Sequence, residues 1–117
     1  MVGADAYIAV YIVTDRPRGT LYIGVTSQLL TRILQHREGL VEGFTKRYGL
    51  KRLVWLEPHE EMTTAIGREK SLKRRPRDWK INLIERDNLH WDDLFPGLVD
   101  WTPPGGLLSG SVGPPVP

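Results

Sequence analysis

The chain has 117 residues, 40% of them hydrophobic and 26% charged, with a formal net charge of +2. That suffices for one globular domain with a modest core, and the net charge is too small to point to nucleic acid by itself. There is no cysteine, which excludes disulfides and thiolate metal sites, and His36, His59 and His90 are not spaced as zinc ligands.

Residues 6–13 (AYIAVYIV) are rich in aromatic and β-branched types and predict a first strand. The apolar run from Tyr7 to Val13 follows Asp5 without a basic flank and is far shorter than the roughly 20 residues of a membrane span, so the expected location is cytoplasmic. Alternation puts Tyr7, Ala9, Tyr11 and Val13 on one face and Ile8, Val10 and Ile12 on the other, which reads as the core face. Leu21 to Thr26 predict a second strand, with "TDRPRGT" as the hairpin connection between the two. If the strands pair, Tyr22 and Gly24 point the same way as Tyr11, setting two phenols side by side with Gly24 leaving room for an approach to the backbone.

Thr26 or Ser27 is placed to cap a helix that runs to about Glu38 and stops at Gly39. Leu29, Leu30, Ile33 and Leu34 form its predicted buried stripe, with Arg32 and His36, four residues apart, along the edge. A guanidinium beside a histidine and two phenols is a way to hold a phosphate, through a fixed fork of donors. "VEGFTKRYG" reads as a loop, "KRLVWLE" as a third strand, residues 60–75 as a helix ended by Pro76, and Arg77 to Asn88 as a further helix. The order predicts a small α+β domain with a short antiparallel or mixed sheet.

On the helix from residue 60, Met62, Ala65, Ile66 and Leu72 recur at helical spacing, and Glu69 falls inside their stripe. An unpaired buried charge costs several kcal/mol, so that carboxylate needs a salt bridge, a proton or a bound cation. A single carboxylate suits Mg²⁺, which keeps most of its waters, better than zinc. Charge along the chain is uneven: Arg68 to Lys80 hold seven basic residues against Glu69 and Asp78, and Arg32 to Arg52 hold six against Glu38 and Glu42. A polyanion should prefer these two segments. The tail, residues 101–117, has nine Pro or Gly among seventeen residues and no charge, and is expected to be disordered, or to lie against the domain through Trp101, beyond a domain spanning 1–100.

Taken in order, Ala9-Val10-Tyr11, Tyr22-Ile23-Gly24, Arg32, His36 and a helical Glu69 resemble the GIY-YIG nuclease family, in particular its short stand-alone bacterial members. The similarity runs over roughly residues 7 to 95 and includes "GFTKRYG", "KRLVW" and "REKSLK". The first triplet departs from Gly-Ile-Tyr but keeps its tyrosine.

What the resemblance implies is a three-stranded antiparallel sheet flanked by helices (ββαβαα) and a divalent-metal-dependent endonuclease using Mg²⁺ or Mn²⁺. By position, Tyr11 is similar to the tyrosine that takes the proton of the attacking water, and Tyr22 to the second active-site tyrosine. Arg32 resembles the arginine that steadies the scissile phosphate, His36 an accessory group, and Glu69 the metal-binding carboxylate. The family's asparagine beyond that glutamate is matched by both Asn82 and Asn88. DNA is the expected partner, with RNA left open, held through the phosphates by Lys46, Arg47, Arg52, Lys70 and Lys73 with little base readout. That predicts structure- or damage-directed cutting, with a separate protein partner as one route to targeting. The alternative is a non-catalytic nucleic-acid-binding module in a DNA repair or recombination complex. Its mark would be loss of Tyr11, Arg32 or Glu69, and all three are present.

Overall fold

A computed structural model describes residues 8–40 and 43–100, apart from the side chains of residues 44, 45, 99 and 100. Three strands, β1 (Ala9–Thr14), β2 (Leu21–Thr26) and β3 (Arg52–Pro58), form an antiparallel sheet in the order β2-β1-β3. Tyr7, the strand start expected at residue 6, and the tail from residue 101 lie outside the described residues.

β1 is buried along its whole length, and this corrects the expectation that only its Val10/Ile12 face is core. As the central strand it is covered on both sides. Val10 and Ile12 join Ile23, Val54, Trp55, Ala65, Leu72, Leu83, Ile84 and Trp91 in one apolar cluster, while Ala9, Tyr11 and Val13 join Leu29, Ile33, Leu50, Leu53, Leu56 and Leu98 in a second. β3 feeds both through a bulge: Ile12 pairs with Trp55 and Val13 with Leu53, so Val54 is an extra residue. The bulge turns Leu53 and Leu56 to one face and Val54 and Trp55 to the other, which is how four consecutive apolar residues are all buried.

α1 (Leu29–Arg37) begins after Gln28, later than the Thr26 or Ser27 cap expected. Thr26 Oγ1 accepts from the Gln28 N–H at 2.9 Å and closes the preceding turn instead. Gly39, at φ 72°, wraps the far end. The buried stripe of α1 is Leu29, Ile33 and His36, whereas Leu34 is 45% exposed. The 29, 33, 36 spacing takes the imidazole into the core in place of that leucine.

Part of the segment expected as a loop folds as the short α2 (Phe44–Tyr48), between Gly43 and Gly49, both at positive φ. α3 (Met62–Lys73) and α4 (Arg77–Asp87) cover the first cluster through Ala65, Leu72, Leu83 and Ile84, and α5 (Phe95–Asp100), not foreseen, closes the second with Leu98. The β1–β2 connection is fastened to α4: Arg18 pairs with Glu85 at 2.9 and 3.0 Å, Trp91 Nε1 donates to the same carboxylate at 2.7 Å, and Arg77 donates to the Arg18 and Gly19 carbonyls. Among the described residues no helix is long and apolar enough to cross a membrane.

Candidate active site

Tyr11 and Gly24 are register partners across β1 and β2. The Tyr11 ring lies over that glycine, and a Cβ at residue 24 would overlap its Cζ and Oη. The space left by Gly24 is therefore filled by the phenol of this chain, which corrects the expectation of an open approach to the backbone. Because β2 is the edge strand, this crossing carries the Tyr11 hydroxyl toward the sheet margin. There it meets α1: Tyr11 Oη is 2.9 Å from His36 Nε2. Tyr22 completes a triangle of rings, with centroids 6.4 Å from Tyr11 and 5.6 Å from His36, and 5.5 Å between Tyr11 and His36.

Burial dominates the proton affinities here. It pushes the Tyr11 phenol well above the usual tyrosine range, with Tyr22 and Glu69 adding to the effect and Arg32 opposing it. It also lowers His36 to about 4, with the Arg32 charge contributing, so the imidazole is neutral at pH 7. The protein's own groups hold the phenol protonated, because desolvation outweighs the one nearby guanidinium. These couplings also place Arg32 and Glu69 within electrostatic reach of the same phenol. Arg32 is half-buried and has no carboxylate partner among the described residues.

Glu69 enters from α3, in line with the buried Ala65 and Leu72, and its side chain is 15% exposed. Its charge is matched by Lys73, whose Nζ lies 2.8 Å from Oε2 one helical turn on. The i to i+4 spacing was the available sequence signal for this pair. No group of three or more His, Cys, Asp or Glu side chains suited to a metal occurs among the described residues. A single hard oxygen donor already paired with a cation fits Mg²⁺ or Mn²⁺, which bind through one or two carboxylates and take remaining positions from water and substrate phosphate. It does not fit a closed structural metal site.

Two tyrosines, a histidine, an arginine and a glutamate thus come together from β1, β2, α1 and α3. The GIY-YIG catalytic domain matches residues 7–82, well over half of the chain. The chain belongs to the GIY-YIG family. A UPF0213 protein of Pediococcus pentosaceus is 28% identical over 75 residues, 64% of this chain and 79% of that protein. No solved structure matches the chain. GIY-YIG domains are nuclease domains, so the activity class is that of a nuclease and the substrate class is nucleic acid.

The basic residues expected to bind nucleic acid come from three elements of this GIY-YIG domain, α2, β3 and α3. Lys46 and Arg47 are exposed on α2, with the Arg47 guanidinium 5.7 Å from the Tyr48 ring centroid. Lys70 is exposed on α3, and Lys73 is engaged by Glu69. Arg52 sits opposite Thr14 at the end of the sheet and donates to the Trp91 carbonyl at 2.9 Å, so it braces the fold. Of the two asparagines, Asn88 is spent on structure: its amide donates to the Val54 and Asp92 carbonyls and its Oδ1 accepts from the Asp92 N–H. Asn82 is exposed on α4.

Proposed function

We propose that this GIY-YIG domain is a DNA endonuclease dependent on Mg²⁺ or Mn²⁺, directed by DNA structure or damage rather than by base sequence. The observation that carries the reading is the convergence of the Tyr11–Tyr22–His36 triangle with an arginine that has no carboxylate partner among the described residues and a carboxylate paired with Lys73. In this reading Arg32 takes the scissile phosphate through two parallel N–H donors. Glu69 holds the metal, which when bound neutralises charge on the phosphate and on the leaving oxygen.

The buried phenol does not need to ionise before reaction. With the Tyr11 hydroxyl donating to the neutral His36 Nε2, the Tyr11 oxygen keeps a lone pair for the proton of the attacking water. As the water oxygen bonds to phosphorus, its proton passes to Tyr11 and the Tyr11 proton passes to His36. The leaving oxygen departs in line and is protonated from solvent. No isolated phenolate forms, and the imidazolium formed in its place is offset by the negative charge of the bound phosphate, which opposes the burial and the Arg32 charge that hold His36 at about 4 in the free protein.

The test is cleavage of plasmid, single-stranded and branched DNA, with an RNA arm, in Mg²⁺ or Mn²⁺ by the wild type and by Glu69→Gln. Metal-dependent cutting that disappears in the variant is expected. Equal cutting by both would remove Glu69 from the reaction, and binding without cutting would make the chain a non-catalytic module.

A further inference from the structure

Outside the tyrosine site, α4 carries a cleft of about 270 Å³ lined by Trp79, Asn82, Leu83 and Arg86. Their 79, 82, 83, 86 spacing is one face of the helix. Leu83 is a buried floor, Trp79 is half-buried with part of its indole packed on the first core cluster, and Asn82 and Arg86 are exposed. The guanidinium of Arg75 lies 4.7 Å from the Trp79 ring centroid. The cleft opens beside the most basic stretch of the chain, Arg68 to Lys80. Some of those cations are used internally: Arg68 pairs with Glu57, Lys73 with Glu69, and Arg77 holds the hairpin carbonyls. Lys70 and Arg74 are exposed and form no ion pair among the described residues.

We propose that this cleft holds an unpaired nucleotide of the nucleic acid bound at the tyrosine site, with its base against Trp79 and its phosphates against Arg75 and Arg86. The inference rests on the proposed function for the identity of the ligand. An aromatic wall, an apolar floor and an amide with both donors and an acceptor suit a flat heterocycle with hydrogen-bonding edges, and flanking guanidiniums suit the phosphates on either side. A base inside a duplex is stacked on both faces and cannot offer one to an indole, so the ligand is an unpaired strand. Glu69 is one helical turn, about 6 Å, from the end of α3 at Lys73, and the chain then passes directly to Arg75. A strand with its phosphate at Arg32 and Glu69 would have to follow α3 and the α3–α4 connection, where Lys70 and Arg74 are exposed, to reach the cleft.

The experiment is direct binding, read in EDTA so that no cutting occurs, with an oligonucleotide carrying 2-aminopurine in an unpaired segment and a blunt duplex of the same sequence. The wild type should quench the 2-aminopurine on binding. Trp79→Leu should abolish the quench and weaken binding to the unpaired substrate by roughly 5- to 100-fold, while duplex affinity changes less than about twofold. Asn82→Ala and Arg75→Gln, both at exposed positions, should each weaken the unpaired substrate selectively, and they decide the matter if Trp79→Leu does not give a cooperative melt. Equal losses on both substrates, or no loss on either, overturn the proposal. Cleavage by the wild type in Mg²⁺ is scored separately: selective binding through Trp79 without cutting supports the cleft and sinks the nuclease reading, and cutting indifferent to these residues does the reverse.

Discussion

The Tyr11 hydroxyl lies 2.9 Å from His36 Nε2, with both side chains almost wholly buried, while His36 Nδ1 is buried without a hydrogen-bond partner among the described residues. Tyr11→Phe leaves two buried imidazole nitrogens unsatisfied, at a cost of about 1 to 3 kcal/mol, which urea denaturation would measure. If Tyr11 relays the water proton, single-turnover cleavage falls by roughly 10² to 10⁴. A loss under about threefold would move proton acceptance to another group.

The same pair sets a pH dependence. An unfolded histidine titrates near 6.5 and the folded one at about 4, so between those values the unfolded chain binds more protons. The contribution is therefore complete above about pH 6.5 and is lost as pH falls through the window down to about 4. Its size is on the order of 3 kcal/mol. Denaturation midpoints measured from pH 7.5 to 4.5 should fall in the wild type and flatten in His36→Gln. Parallel slopes would show that His36 is not the titrating group.

Two glycines should respond in opposite directions to alanine. At Gly24 the added methyl meets the Tyr11 ring, so Gly24→Ala should lose about 1 to 3 kcal/mol and displace the hydroxyl from His36. At Gly67, exposed within α3, a Cβ meets nothing within 4 Å, so Gly67→Ala should gain roughly 0.5 to 1 kcal/mol. Thermal melts of the two variants check both signs.

Glu69→Gln should separate stability from activity. The Glu69–Lys73 pair is an i, i+4 bridge whose lysine is half exposed, so its loss should cost under about 1 kcal/mol. Metal-dependent cleavage should nevertheless be abolished. A variant that melts far below the wild type would instead mark Glu69 as a structural residue.

Phosphate contacts predict a salt slope. DNA affinity should drop steeply between about 50 and 200 mM salt, and Lys70→Gln should reduce the slope by about one. Arg52→Gln should mainly lower stability, because that guanidinium braces Trp91. A salt-independent affinity would argue against the basic surface altogether.

The sequence by itself determined the order of the three strands and of α1, α3 and α4, the same-side placement of Tyr11 and Tyr22, and the position of Glu69 within an apolar stripe. Each is a local consequence of period 2 or period 3.6, and the family resemblance rests on the same residues. Tertiary structure decided the rest. His36 replaces Leu34 in the core because the centre of the α1 stripe is set by the sheet beneath it. Arg52 became a brace because Trp91, thirty-nine residues on, brings its carbonyl to it. Gly24 closes over a phenol only because β1 and β2 pair in one register, and the proton affinities of Tyr11 and His36 follow from a burial that no local spacing encodes.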